Sequence, residues 1–101
     1  MTAVVNSSAR FSCALPSDFD GVRWTHYWHA LLDASVIYSG HRLTANYRRA
    51  GRHHVTCDVT DDECLLVVET VRTRDQGRYS CLFTPSGHRQ SFWLYVVGRP
   101  T

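Results

Sequence analysis

The sequence predicts an all-β protein folded as an antiparallel sandwich or barrel. Short stretches in which apolar and polar residues alternate recur along the whole chain, and a period of two residues is typical of strands. Turn-forming residues separate these stretches, for example at Asp20-Gly21, Ser39-Gly40 and Pro85-Ser86-Gly87. No long helix fits between them. Because parallel sheets need crossover helices, the sequence favours antiparallel strands.

Seven segments are predicted as strands because they are rich in β-branched and aromatic residues. In chain order they are Arg10–Leu15, Val22–His26, Val36–Tyr38, His54–Cys57, Cys64–Glu69, Tyr79–Phe83 and Phe92–Val97. The best helical candidate, Trp28–Leu32, is too short to be stable alone, and we expect it to form a corner between two strands.

Size and composition indicate one globular domain. The chain has 101 residues, of which 44% are hydrophobic and 20% charged, so we expect a single domain over residues 1–101. All 11 basic residues are Arg, but the net charge of +2 is too small to favour nucleic acid as a partner. No apolar run approaches ~18 residues, so we expect no membrane insertion of this segment. The lack of an export signal suggests a fragment of a larger surface protein.

Four cysteines in so short a chain predict two disulfides in an oxidising compartment. Cys13, Cys57, Cys64 and Cys81 allow three pairings, and their number alone does not choose among them. Asn6-Ser7-Ser8 is an acceptor sequence for N-glycosylation, which matters only in a secreted or surface protein.

The spacing around two of the cysteines resembles a known family. Trp24 follows Cys13 by 11 residues, and Tyr79 precedes Cys81 by two. A signature L-x-[VI]-x-x-[LV]-x-x-x-D-x-G/A-x-Y-x-C is matched by Leu66, Val68, Val71, Asp75, Tyr79 and Cys81. The chain therefore resembles the immunoglobulin superfamily, and more closely its variable-type (V-set) domains. Val36-Ile37-Tyr38 resembles the strand that variable domains add.

This resemblance implies an immunoglobulin-like two-sheet antiparallel sandwich of V-type topology. It implies a Cys13–Cys81 disulfide across the core, an ion pair between Arg52 and Asp75, and core positions for Trp24, Tyr79, Leu66 and Val68. The other two cysteines, Cys57 and Cys64, would then pair if the strands that flank them form a hairpin. No F-G-x-G bulge follows the loop Thr84–Gln90. Antibody-like pairing of two variable domains is therefore not expected.

Alternation predicts an apolar patch on one sheet. If Trp24 and Tyr79 point inward, their neighbours on the same strands point outward. The patch predicted in this way comprises Tyr27, Tyr38, Leu82, Trp93 and Tyr95, with a polar rim from Arg89, His88 and Arg42. Because such patches are usually partner sites, we expect this one to bind another protein or a second copy of the chain.

Metal binding and catalysis are weakly supported. His26, His29, His53 and His54 lie near one another or near Cys57 in the sequence, but the members of each histidine pair point to opposite faces of a strand. No nucleophile elbow or phosphate-binding glycine loop is present. We therefore expect no enzyme activity, no metal and no cofactor.

The sequence thus predicts a non-catalytic recognition module in a cell-surface or secreted protein. An immune or adhesion receptor, or a viral immune-evasion glycoprotein, would place the domain on the extracellular side of a membrane. The alternative is an intracellular structural immunoglobulin domain, as in muscle scaffold proteins, whose cysteines would be reduced. The Val36–Tyr38 stretch and the second cysteine pair argue against this alternative.

Overall fold

A computed structural model describes residues 1–17, 19–28 and 33–98 of the chain. In this part of the chain, strands form two facing sheets: β1 (Thr2–Val4), β2 (Ala9–Ala14), β3 (Gly21–Trp28), β4 (Asp33–Gly40), β5 (Arg42–Leu43), β6 (His53–Asp58), β7 (Glu63–Val68), β8 (Gly77–Thr84) and β9 (Arg89–Val97). One sheet has the order β1-β9-β8-β3-β4-β5 and the other β2-β7-β6. The predicted sandwich is confirmed, with the two extra strands of V-type topology, β4 and β5, beyond β3.

Two local features differ from the prediction. Strand β1 pairs with β9 in parallel, so one pair of an otherwise antiparallel sandwich is not antiparallel. A short helix, α1 (Ala45–Ala50), lies in a stretch where the sequence predicted neither a helix nor a strand. It ends at Gly51, which has φ 72° and donates its N–H to the carbonyl of Tyr47. Of the predicted corner Trp28–Leu32, Trp28 is the last residue of β3, and residues 29–32 lie outside the described part.

The core between the sheets is centred on aromatic rings and one disulfide. Trp24 and Tyr79 are fully buried, and the ring of Phe11 stacks on Tyr79 with centroids 4.8 Å apart. The Cys13–Cys81 disulfide, with S–S 2.00 Å, joins β2 to β8 across the sandwich. Strand β7 contributes Leu66 and Val68, both fully buried. Burial of each such aliphatic side chain stabilises the fold by about 1.5–3 kcal/mol.

The second disulfide lies within one sheet. Cys57 and Cys64 are directly opposite each other in the β6–β7 hairpin, and their sulfurs are 2.01 Å apart. Cys64 is buried and Cys57 is half-buried. This bond therefore fastens a hairpin, whereas Cys13–Cys81 fastens the two sheets to each other.

The base of the sandwich is held by an ion pair. Both terminal nitrogens of Arg52 donate to the carboxylate of Asp75, the closer at 3.0 Å, and the backbone N–H of Arg72 donates to the same carboxylate. Burial alone would raise the pKa of Asp75, but these donors outweigh it and lower that pKa. The hydroxyl of Tyr79 donates to the backbone carbonyl of Asp75. Asp75 and Tyr79, two residues of the signature, therefore belong to one buried hydrogen-bond network.

Gly77 completes the signature for a steric reason. Its φ is 138°, and a Cβ built there would lie 2.3 Å from the carbonyl oxygen of Tyr27. A side chain at this position would push β8 away from β3.

Candidate interaction surface

The outer face of the six-stranded sheet is organised in rows by the strand register. One row crosses β3, β8 and β9 through Tyr27, Arg78 and Trp93. The next consists of three hydroxyl side chains, Thr25, Ser80 and Ser91, and the third of Arg23, Leu82 and Arg89. We call the first row together with Tyr95 the aromatic patch, and the third the arginine row.

The aromatic patch is exposed on β9 and partly covered on β3. Trp93 is 50% exposed and Tyr95 54%, and their rings stack with centroids 6.4 Å apart. Tyr27 is half-buried because the guanidinium carbon of Arg78 lies 4.7 Å from the centroid of its ring. Such a cation–π contact contributes about 0.5–1 kcal/mol at an exposed site. The aromatic patch therefore presents two half-exposed rings, those of Trp93 and Tyr95, beside the guanidinium of Arg78.

The prediction of one continuous apolar patch was wrong in two respects. Leu82 is half-buried and lies four residues from Arg78 along β8, about 13 Å away, with the hydroxyl row between them. Tyr38 pairs with Trp24 beside a register shift in the β3–β4 pairing and packs against the core. Its burial raises the pKa of its hydroxyl. Neither residue is part of the aromatic patch.

Arg78 is the residue that the sequence reasoning missed. The signal was present, because Arg78 directly precedes the inward-pointing Tyr79 and alternation therefore sends it outward. A pattern of aromatic side chains alone does not include the cation that lies between them. The register places Arg78 opposite both Tyr27 and Trp93.

The loop Thr84–Gln90 is anchored at both ends. The N–H of Gly87 donates to the carbonyl of Phe83, and the N–H of Phe83 donates to the carbonyl of His88. The side-chain amide of Gln90 bonds both the N–H and the carbonyl of Ala14 on the opposite sheet. Arg89, predicted as a rim residue, is exposed. It flanks Leu82 and not the aromatic rings.

A cleft of about 670 Å³ continues from the patch to the base of the sandwich. Trp93 and Tyr95 line one side of it, and β3, α1 and the turn before β8 line the rest. His26 stacks on Tyr79 at 4.3 Å, and its Nε2 lies 2.9 Å from the carbonyl of Gln76. His53 is buried, and its Nδ1 has no hydrogen-bond partner among the described residues.

Both histidines of the cleft are shifted toward the neutral form. Burial lowers the pKa of His26. Burial and the nearby charge of Arg52 lower the pKa of His53 to about 4. At neutral pH the cleft therefore contains two uncharged imidazoles.

The histidine and cysteine positions do not converge on a metal site within the described residues. Cys57 and Cys64 are bonded to each other and carry no free thiolate. His53 is buried, while its neighbour His54 is exposed and lies 2.9 Å from a carboxylate oxygen of Glu69. No group of three or more His, Cys, Asp or Glu side chains in the described part is arranged to hold an ion. His29 lies outside the described residues.

Two further features concern glycosylation and membrane insertion. Asn6 is exposed in the turn after β1 and has φ 76°. The helices in the described part of the chain are too short and too polar to cross a membrane.

Solved structures resemble this sandwich closely. The first immunoglobulin domain of the mouse polymeric immunoglobulin receptor superposes with a TM-score of 0.78, covering 99% of this chain and 90% of that one at 18% sequence identity. The chain has the fold of an immunoglobulin domain. No family model and no curated protein matches it by sequence.

Proposed function

We propose that this immunoglobulin domain is a non-catalytic recognition module that binds another protein through the aromatic patch. The observation that carries the proposal is the pair of half-exposed rings, Trp93 and Tyr95, stacked beside Arg78 on a sheet face. Trp, Tyr and Arg are the side chains that most often anchor protein interfaces. Monomeric proteins seldom expose such groups together without a partner.

The scaffold beneath the patch supports this function. Strands β3 and β8 bury Trp24 and Tyr79 on their inner faces, and the Cys13–Cys81 disulfide fixes β8 to the opposite sheet. The patch residues thus stand on elements that are already ordered. Binding would lose little conformational entropy, which favours affinity.

We also propose that the domain acts outside the cell, on a surface receptor or a secreted protein of cellular or viral origin. Two disulfides are typical of oxidising compartments, and a receptor domain shares the fold. The exposed Asn6 would then be a glycosylation site. In protein from its natural source, alkylation and mass spectrometry should find no free thiol. Four free thiols would contradict this location and favour an intracellular structural role.

The binding proposal is tested by screening multivalent fusions of the domain against a panel of receptor ectodomains and secreted proteins. For a partner that uses the patch, we expect Trp93→Ala and Tyr27→Ala each to weaken binding about tenfold or more. Val59→Ala is the matched control, because Val59 is 71% exposed in the turn between β6 and β7, away from the patch. Partners that bind both patch variants as tightly as the parent would refute the role of this face.

A further inference from the structure

We propose that the partner surface is acidic and that its carboxylates are bound by Arg78 and by the arginine row. This inference rests on the proposed function, because it names the chemistry of the partner that the same face would bind. The bound group is a segment of a partner protein that carries Asp or Glu side chains.

The charge on the outer face is of one sign. The outward residues of β3, β8 and β9 include Arg23, Arg78 and Arg89 and no Asp or Glu. A partner with carboxylates would complement this face. A second copy presenting the same face would bring like charges together, which is unfavourable.

Arg78 has unused hydrogen-bonding capacity. Among the described residues, none accepts a hydrogen bond from its buried Nε, and no carboxylate forms an ion pair with its guanidinium. The ring of Tyr27 holds the guanidinium in place. The chain itself covers the Nε, so a partner carboxylate would be bound by the two terminal nitrogens of Arg78, which can donate two parallel hydrogen bonds to it. The guanidinium of Arg78 is therefore placed to bind a planar carboxylate.

The rows set the spacing of the acidic groups. Arg78 and the arginine row are four residues apart along β8, about 13 Å. An extended segment with acidic residues four positions apart spans this distance, and small side chains between them would lie over the hydroxyl row. The expected motif is thus two acidic residues separated by three small ones.

A protein segment fits this face better than a polyanion does. Sulfated polysaccharides and nucleic acids bind long stripes of positive charge, whereas this chain has a net charge of only +2. The rings of Trp93 and Tyr95 also offer apolar area beside Arg78, which suits apolar side chains near a carboxylate.

The test follows the side-chain Nε–H signals of the arginines by nuclear magnetic resonance. The probes are the blocked peptide Glu-Ser-Val-Ser-Glu, its Gln-Ser-Val-Ser-Gln counterpart, and heparin. The acidic peptide should shift the signals of Arg23, Arg78 and Arg89 and leave that of Arg49 on α1 unchanged. Arg78→Gln should weaken binding of the acidic peptide about tenfold or more, since a charge-assisted hydrogen bond is lost. Arg78→Lys should recover little, because Lys lacks the planar fork.

Each other outcome overturns the inference in a distinguishable way. Equal shifts with both peptides, or an equal response of Arg49, would mean that the arginines do not select carboxylates. Shifts with heparin alone would assign the face to a polyanion, and shifts on dilution of the protein would assign it to a second copy. If the indole signal of Trp93 moves with both peptides while the arginines do not, the docking face stands and only its acidic specificity fails. If no signal of the face moves, the acidic inference fails, while the binding proposal is decided by the Trp93→Ala and Tyr27→Ala variants with protein partners.

Discussion

The two faces of the six-stranded sheet use the same strands for different purposes. On β8, Tyr79 and Cys81 point inward to the core, while Arg78 lies on the outer face, opposite Tyr27 on β3 and Trp93 on β9. The inner residues are fixed by packing, a disulfide and a buried ion pair. On the outer face the rings of Trp93 and Tyr95 are half-exposed, although Thr25 and Ser80 of the hydroxyl row are buried. Substitutions should therefore divide by face: the inner face controls stability, and the outer face controls binding.

The largest expected effect on stability comes from the disulfide that joins the two sheets. It links residues 68 apart, and the chain-entropy relation assigns about 4 kcal/mol to a loop of that length. Cys13→Ala combined with Cys81→Ala should lose about this much free energy of unfolding, measured by urea denaturation. A loss below about 1 kcal/mol would show that the core holds the sheets together without the bond.

Removal of the cation at the base should have the next largest effect. Arg52→Met leaves the buried carboxylate of Asp75 without its partner, which we expect to cost about 2–4 kcal/mol. The matched control is Arg49→Met, an exposed arginine on α1 with an expected change within about 0.5 kcal/mol. Equal losses for the two variants would mean that the ion pair adds nothing to the inner network.

The sequence predicted the inner face far better than the outer one. The core positions of Trp24, Tyr79 and Cys81 follow from their spacing along the chain. Because these side chains pack in one core, the position of one limits the positions of the others. The outer face depends on how β3, β8 and β9 align, which no local pattern encodes. The register shift between Trp24 and Thr25 in the β3–β4 pairing accompanies the placement of Tyr38 against the core. The separation of Leu82 from Trp93 likewise follows from register alone.

The hairpin disulfide should contribute less than the one between the sheets. Cys57 and Cys64 are only seven residues apart, and for this separation the chain-entropy relation gives about 2.4 kcal/mol. Replacing both with Ala should lower the urea midpoint by about half as much as loss of Cys13–Cys81 does. If this variant instead unfolds as easily as the other, the hairpin is part of the same structural unit as the core.

The buried imidazoles predict a loss of stability in mild acid. His53 is neutral in the folded protein, with its pKa lowered to about 4, whereas in the unfolded chain it titrates near its ordinary value. The unfolded state therefore binds the proton first, and stability falls as pH drops from about 6.5 toward 4. Arg52, His26 and His54 face His53 as positive or chargeable groups, and Asp75 as a negative one.

We expect a loss of about 1–2 kcal/mol in the free energy of unfolding between about pH 7 and pH 5. His53→Phe should remove most of this dependence, because Phe has the same planar shape and no proton to bind. His54→Gln, a change at the exposed neighbour, should leave it in place. An unchanged acid loss in His53→Phe would assign the effect to His26, whose pKa is lowered in the same direction.

The smallest effect on stability is expected where the effect on binding is largest. Trp93 is half-exposed, so Trp93→Ala should change the free energy of unfolding by no more than about 0.5 kcal/mol. The adjacent Phe92 is the matched control, because its ring packs between Phe11 and Trp24 on the inner face. Phe92→Ala should cost about 2 kcal/mol or more. Equal losses of unfolding free energy would mean that Trp93 stabilises the core as much as Phe92 does. The inner and outer faces of β9 would then not differ in their contribution to stability.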